Sequence, residues 1–292
     1  MGSTLVHSIL ATIVQDASAV GSILVRITEP HLEPVIANVL HERGFVQTQS
    51  GWVKVCLHGI TPIQQLKTAI QELASAAHVN CDDLAGILNA AEESALESDP
   101  NAVIELERLI WPGKISGADV PCFVIPIRPE WAADLFEGRL AKHRLWAADT
   151  DLVLNPDSVY YRAAKPQVLS SVGRILWYVS ESNSPGSKML RACSCLTGVV
   201  VGKPKELFRR FRRFGVYEWK EVLDTAGAED GNLMAIEFTN TELFQCPIGW
   251  SVLQSVLHTH GRDNYTFPSP VSIDEGLFFS LYSIGSGLES AS

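Results

Sequence analysis

The hydrophobic pattern of this chain changes period near Asp119, and that change limits what it can fold into. Before it, apolar residues recur every three to four positions, the spacing of one helix face. Helices are predicted over 3–16 and 33–43, then over 62–71, 82–95 and 100–110 in an acidic stretch. A short strand over 22–27 and a hairpin around Ser50-Gly51 interrupt the first two. Beyond Asp119 the apolar residues fall in short β-rich runs, at 122–127, 158–162, 174–179, 192–201 and 233–238. Helices over 129–137 and 204–214 are interleaved with them. Short strands with few long helices predict a small mixed barrel, so the fold class is α+β.

The chain has 292 residues, enough for about two domains. No apolar run reaches the roughly 18–20 residues a bilayer span needs. The segment from Met1 to His7 lacks the basic opening of a signal peptide, so a cytoplasmic protein is expected. Six scattered cysteines form no C-x-x-C pair, which fits reduced thiols rather than disulfides or structural zinc. Cys193 and Cys195, two apart in a strand, share one face and are expected to pack. His258 and His260 have no carboxylate or cysteine at ligand spacing, so no metal site is expected.

The formal net charge is −10, which disfavours non-specific binding of polyanions by the surface as a whole. Residues 203–220 run against that balance, with seven basic side chains and two acidic ones. At 100° per residue, Leu207, Phe208, Phe211 and Phe214 share one helix face, Arg209, Arg212 and Arg213 the opposite one, and Arg210 a flank. The arginines make either a solvated face or an anion-binding surface. A second cluster is Tyr160, Tyr161, Arg162 and Lys165. In a strand, Tyr160 and Arg162 share a face, and an aromatic ring beside a guanidinium suits a nucleobase and its phosphate. Lys142, His143, Arg144 and Trp146 form a third cluster, in a predicted loop.

Two segments resemble known families. Gly2-Ser3-Thr4-Leu5, the strand over 22–27 and Leu40-His41-Glu42-Arg43-Gly44-Phe45 resemble the second half of a GNAT (Gcn5-related N-acetyltransferase) domain. That resemblance implies that Gly2, Ser3 and Thr4 would help hold the pyrophosphate of acetyl-coenzyme A, since free amides and the helix dipole favour phosphate. The position that often carries the family's general-acid tyrosine is Leu40, with His41 beside it. Residues 121–250 resemble a PUA-like barrel of the ASCH or EVE kind. The residues that carry this are the strand over 122–127, Arg128-Pro129-Glu130-Trp131, Leu135-Phe136-Glu137-Gly138-Arg139, residues 159–166 and Ile175-Leu176-Trp177-Tyr178-Val179. The ASCH loop is expected to read G-x-K-x-x-E-x-R. Here it is Gly138-Arg139-Leu140-Ala141-Lys142-His143-Arg144, without the lysine and glutamate on which the family's hydrolysis of N4-acylated cytidines depends.

The expected organisation is thus a partial GNAT-like half-domain over 1–59, a helical connector over 60–118 and a PUA-like mixed β-barrel over 119–285. The expected function is binding of RNA or a modified nucleotide through Lys142, His143, Arg144, Trp146, Tyr160, Arg162 and Lys165. Arg209, Arg212 and Arg213 are expected as a secondary basic surface. No catalytic residue, cofactor or metal is assigned. One alternative is an acetyl-coenzyme A-dependent N-acetyltransferase completed by a missing segment or subunit. Another is a regulatory partner in a toxin–antitoxin or defence-type complex, contacted through the acidic helices of 62–110.

Overall fold

The computed structural model describes residues 2–97, 99–132, 135, 157–180, 187–212, 214, 217–227, 231–263 and 265–288, the side chains of 2–5, 8 and 19 excepted. The chain divides into two compact units, Met1–Val120 and Pro121–Ser292. Both mix helices with sheet, so the α+β class holds.

The first unit opens with α1 (Gly2–Ala19), β1 (Leu24–Ile27), α2 (Pro34–Glu42), β2 (Val46–Thr48) and β3 (Gly51–Val55). The three strands form an antiparallel sheet in the order β1-β3-β2. Leu10 and Val14 of α1 and Val39 and Leu40 of α2 are buried with Val25, Phe45 and Trp52 in one apolar cluster. Four-residue spacing on α1 and adjacent positions on α2 supply that shared face. Next come β4 (Ile60–Pro62), α3 (Ile63–Ala76), a 3-10 turn (Cys81–Leu84), α4 (Ala85–Glu97), α5 (Pro100–Ile110) and β5 (Lys114–Ser116), with β4 and β5 pairing in parallel. Asp99 caps α5, its carboxylate accepting from the Asn101 amide.

Lys54 on β3 is one of the charged residues buried in this unit, with Glu107 and Lys114. It is 1% exposed, and its ammonium donates to the carbonyls of Arg43 (2.8 Å) and Leu109 (2.5 Å). Those carbonyls lie at the C-terminal ends of α2 and α5, where helices leave acceptors unsatisfied and carry partial negative charge. Gly44 makes this approach feasible. Its φ is +76°, and a Cβ there would collide with the Leu109 carbonyl oxygen.

The second unit contains β6 (Cys122–Ile127), α6 (Pro129–Ala132), β7 (Ser158–Ala163), β8 (Gly173–Val179), β9 (Met189–Gly202), α7 (Pro204–Phe211), α8 (Trp219–Ala226), β10 (Leu233–Gly249), α9 (Trp250–Thr259), β11 (Val271–Ile273) and α10 (Glu275–Ser286). Six strands make one sheet in the order β11-β6-β8-β9-β10-β7, with β6 and β8 parallel and the other neighbours antiparallel. Every residue of β8 is buried, as expected of a strand covered on both faces. Ile175, Trp177 and Val179 join a core cluster with Leu207 and Phe211 of α7 and Val222 of α8. On the other face, Tyr178 meets the rings of Trp250 and Phe267, and Arg174 lies over those of Phe278 and Phe279.

The sheet is curled. Three neighbour spacings separate β7 from β8, about 14 Å if the sheet were flat. The rings of Tyr160 on β7 and Trp177 on β8 are nevertheless 5.7 Å apart, edge to face. Register shifts in β10 after Glu237, Thr239 and Leu243 supply the bends, because an extra residue on one strand tightens the local twist. Among the described residues, β11 and β7 are the sheet's two ends and no ladder joins them.

Candidate nucleic-acid interface

Alternation along β7 sends Tyr160 and Arg162 to one face and Val159 and Tyr161 to the other. Tyr160 is 7% exposed, and its ring meets Trp177 at 5.7 Å and Tyr217 at 6.3 Å. Tyr161 is buried as well, packing on the Tyr217 ring at 5.1 Å and donating through its hydroxyl to the Leu207 carbonyl of α7 at 3.4 Å. Both tyrosines therefore belong to the core, and neither presents an open ring face for a base. Trp131 extends the aromatic row outward, 4.2 Å from Tyr217 and only partly buried.

The polar end of Tyr160 is the chemically distinctive point. Burial raises its pKa, the charges of Arg162 and Arg128 pull it back, and Glu130 pushes it up again. The ring row from Trp131 through Tyr217 to Tyr160 brings the start of α6, with Arg128 and Glu130, toward β7. Arg162 is half-buried, its pKa lowered by burial, and it donates to the carbonyls of Ala163 and Lys165. It braces the turn at the end of β7, from which Lys165 projects into solvent. The Tyr217 hydroxyl is buried, and burial holds its pKa well up.

A second group of charges reaches the same end of the sheet. Leu233, the first residue of β10, is paired with Ala163 of β7 on one side and Gly202 of β9 on the other. The turn bearing Lys165 and the segment Lys203-Pro204-Lys205 that opens α7 are thus about 10 Å apart, two strand spacings. On α7, Leu207 and Phe211 are buried while Arg209, Arg210 and Arg212 are exposed. Arg210 approaches Glu237 at 4.0 Å.

Of the residues singled out from the sequence, Tyr160, Arg162 and Lys165 fall together at one strand end, and Arg209 and Arg212 lie on the outer face of α7. Lys142, His143, Arg144, Trp146 and Arg213 lie outside the described residues. Arg128, Glu130, Trp131 and Tyr217 were not assigned to the site by sequence reasoning; Tyr217 follows Phe214, whose carbonyl accepts from the Val159 amide of β7, and Trp131 joins it through a ring contact. Gly2, Ser3 and Thr4 form the first turn of α1. Leu40, at the position of the general acid, is fully buried in the apolar cluster, and His41 meets Trp52 edge-on at 4.8 Å. A leucine holds no transferable proton, so the described residues do not fit acetyl transfer at that position. His258 does find a carboxylate, contrary to its spacing in sequence: Asp263 reaches its Nδ1 at 2.5 Å. No group of three or more metal-ligating side chains occurs among the described residues, and no described helix is long and apolar enough to cross a membrane.

No family model and no curated protein matches the chain. Among solved structures, the chain is similar to ASCH from Zymomonas mobilis, at 19% identity and a TM-score of 0.41, over 56% of this chain and 94% of that one. A mutant form of that protein scores 0.42 at 18% identity, over 57% of this chain and 97% of that one. The N-terminal domain of McrB from Staphylothermus marinus scores 0.36 at 11% identity, over 56% and 94%.

Proposed function

We propose that the second unit is a PUA-like module of ASCH or EVE type that binds RNA or a modified nucleotide at the end of β7. The observation that carries the reading is the ring row Trp131–Tyr217–Tyr160, which brings Arg128 and Glu130, flanking Trp131, toward Arg162 and the exposed Lys165 at the end of β7. Two guanidiniums supply donors for phosphate or for acceptor edges of a base, and the carboxylate supplies an acceptor for its amino or imino groups. Trp131, partly exposed next to Tyr217, offers a ring on which a base can stack. Lys142, His143, Arg144 and Trp146 remain candidates on sequence grounds. In this reading residues 1–59 are a GNAT-like half-domain without its acid, and 60–118 a helical connector.

The test is calorimetric titration of the full chain with a mononucleotide and with an oligoribonucleotide, for the parent and for Arg128→Ala/Lys165→Ala. Both residues are exposed, so the fold survives their loss. At least a tenfold loss of affinity is expected, with weaker salt dependence in the variant. Equal binding by parent and variant would sink the reading.

A further inference from the structure

The amphipathic helix α7 is not absorbed by the site around Tyr160. Its apolar side is anchored: Leu207 and Phe211 are buried, and Phe208 packs on Trp219 at 5.5 Å. Its other side carries Lys205, Arg209 and Arg212, exposed and without an ion-pair partner among the described residues. Arg210 is engaged differently, near Glu237 and over the Phe211 ring. Among the described residues, Lys205, Arg209 and Arg212 outnumber the helix's one acidic side chain, Glu206, and give this face a local positive field.

Position in the sheet gives that field a direction. The pairing of Leu233 with both Ala163 and Gly202 sets the start of α7 about two strand spacings from the turn of Arg162 and Lys165. From Gly202 the helix runs back over the face opposite Tyr160, because Leu207 receives the Tyr161 hydroxyl and Arg210 approaches Glu237. The cations therefore run from Arg162 and Lys165, across the sheet end at Lys203 and Lys205, and onto Arg209 and Arg212. The sheet end contributes about 10 Å and eight helical residues about 12 Å. At about 3.4 Å per nucleotide of a stacked strand, the path matches roughly six phosphates.

We propose that α7 and the adjoining sheet end form a track for the sugar–phosphate backbone of a single-stranded polynucleotide, one residue of which enters the site near Tyr160. The inference rests on the reading of that site as a nucleotide binder. It makes the ligand a strand rather than a free nucleoside or nucleotide.

The experiment compares the parent chain with Arg209→Ala/Arg212→Ala, and with the charge reversal Arg209→Glu/Arg212→Glu, by fluorescence anisotropy. The probes are a labelled mononucleotide, an RNA decamer and the DNA decamer of the same sequence. The expected result is tighter binding of a decamer than of the mononucleotide by the parent. The alanine pair should lose about tenfold in decamer affinity, the reversal more, and neither should change mononucleotide binding. The slope of log K against log salt should fall in magnitude by about 1.4 for the two lost contacts, at about 0.7 per phosphate on a single strand. The better-bound decamer identifies the backbone chemistry, and loss with either one supports the track. Decamer binding unchanged in both variants, with mononucleotide binding intact, would overturn the track and leave the site near Tyr160 standing. If the parent binds none of the probes, both readings fall.

Discussion

The ammonium of Lys54 donates to the carbonyl oxygen of Leu109 at 2.5 Å, closing the end of a helix that begins only at Pro100. The same nitrogen holds the Arg43 carbonyl, so one buried side chain finishes two helices from different parts of the sequence. An unmade hydrogen bond costs more when the orphaned group is buried than a made one contributes. Lys54→Met keeps the volume and removes the donor. The expected result is faster amide exchange at the ends of α2 and α5, with a lower urea midpoint emerging above about pH 10, where burying the lysine no longer costs a proton.

Protonation at this position is linked to folding. Burial lowers the Lys54 pKa to about 7, with Cys56 opposing the shift and Arg43 adding to it. An unfolded lysine keeps its proton to about 10.4. Above pH 7 the unfolded chain therefore holds a proton that the folded chain has released, and raising the pH favours folding. Burial also raises the Cys56 thiol above its ordinary value of 9.0, so on further alkalisation that group acts in the opposite sense. Stability should rise by about 2–3 kcal/mol between pH 7 and 9, and the rise should vanish in Lys54→Met.

Gly44→Ala tests the same junction from the other side. The residue combines a left-handed backbone with a direct collision against Leu109, and neither strain is relieved by moving a side chain. A loss of at least about 3 kcal/mol is expected. Gly21→Ala, also at positive φ but in open space, should cost about 1 kcal/mol. Equal costs at the two positions would show that the approach of Leu109 is unimportant.

The two sides of α7 should separate cleanly in thermal melts. Phe211→Ala removes a buried ring and should cost about 3–5 kcal/mol. Arg212→Ala, on the exposed side, should stay within about 0.5 kcal/mol.

How much of this was legible depended on whether a local period survived. Residues 100–110 were readable as a helix because Val103, Ile104, Glu107 and Ile110 face inward at helical spacing. Cys122–Ile127 was readable as a strand from its continuous apolar run. The strand read over 233–238 continues to Gly249, because three register shifts break the period-two alternation beyond Phe238. The helix α10 escaped notice since it is apolar nearly all round, with Leu277, Phe278, Leu281 and Tyr282 buried together. At the candidate site, Tyr160, Arg162 and Lys165 are neighbours in sequence, so their grouping along β7 and its following turn was readable, whereas the burial of the Tyr160 ring was not. Arg128 could not, because about thirty residues and the curl of the sheet stand between it and Tyr160.

His258 offers a check independent of the site. Its bond to Asp263 and that carboxylate's charge raise its pKa, although the ring is exposed. An NMR titration should place its midpoint above those of ordinary histidines, and Asp263→Asn should bring it back down. An unshifted midpoint in the parent would mean that the pair does not form in solution.

The ladder between β6 and β11 has a consequence for how the second unit comes into being. Val124 pairs with Val271, which lies about 150 residues further along the chain. Contacts that distant are made late and slowly, since a long loop must close before they contribute. During synthesis the free edge of β6 waits for the rest of the unit to leave the ribosome, a period when exposed strand edges are prone to pair wrongly. Shielding of that edge until β11 arrives is then expected to raise the share of chains that reach the native form.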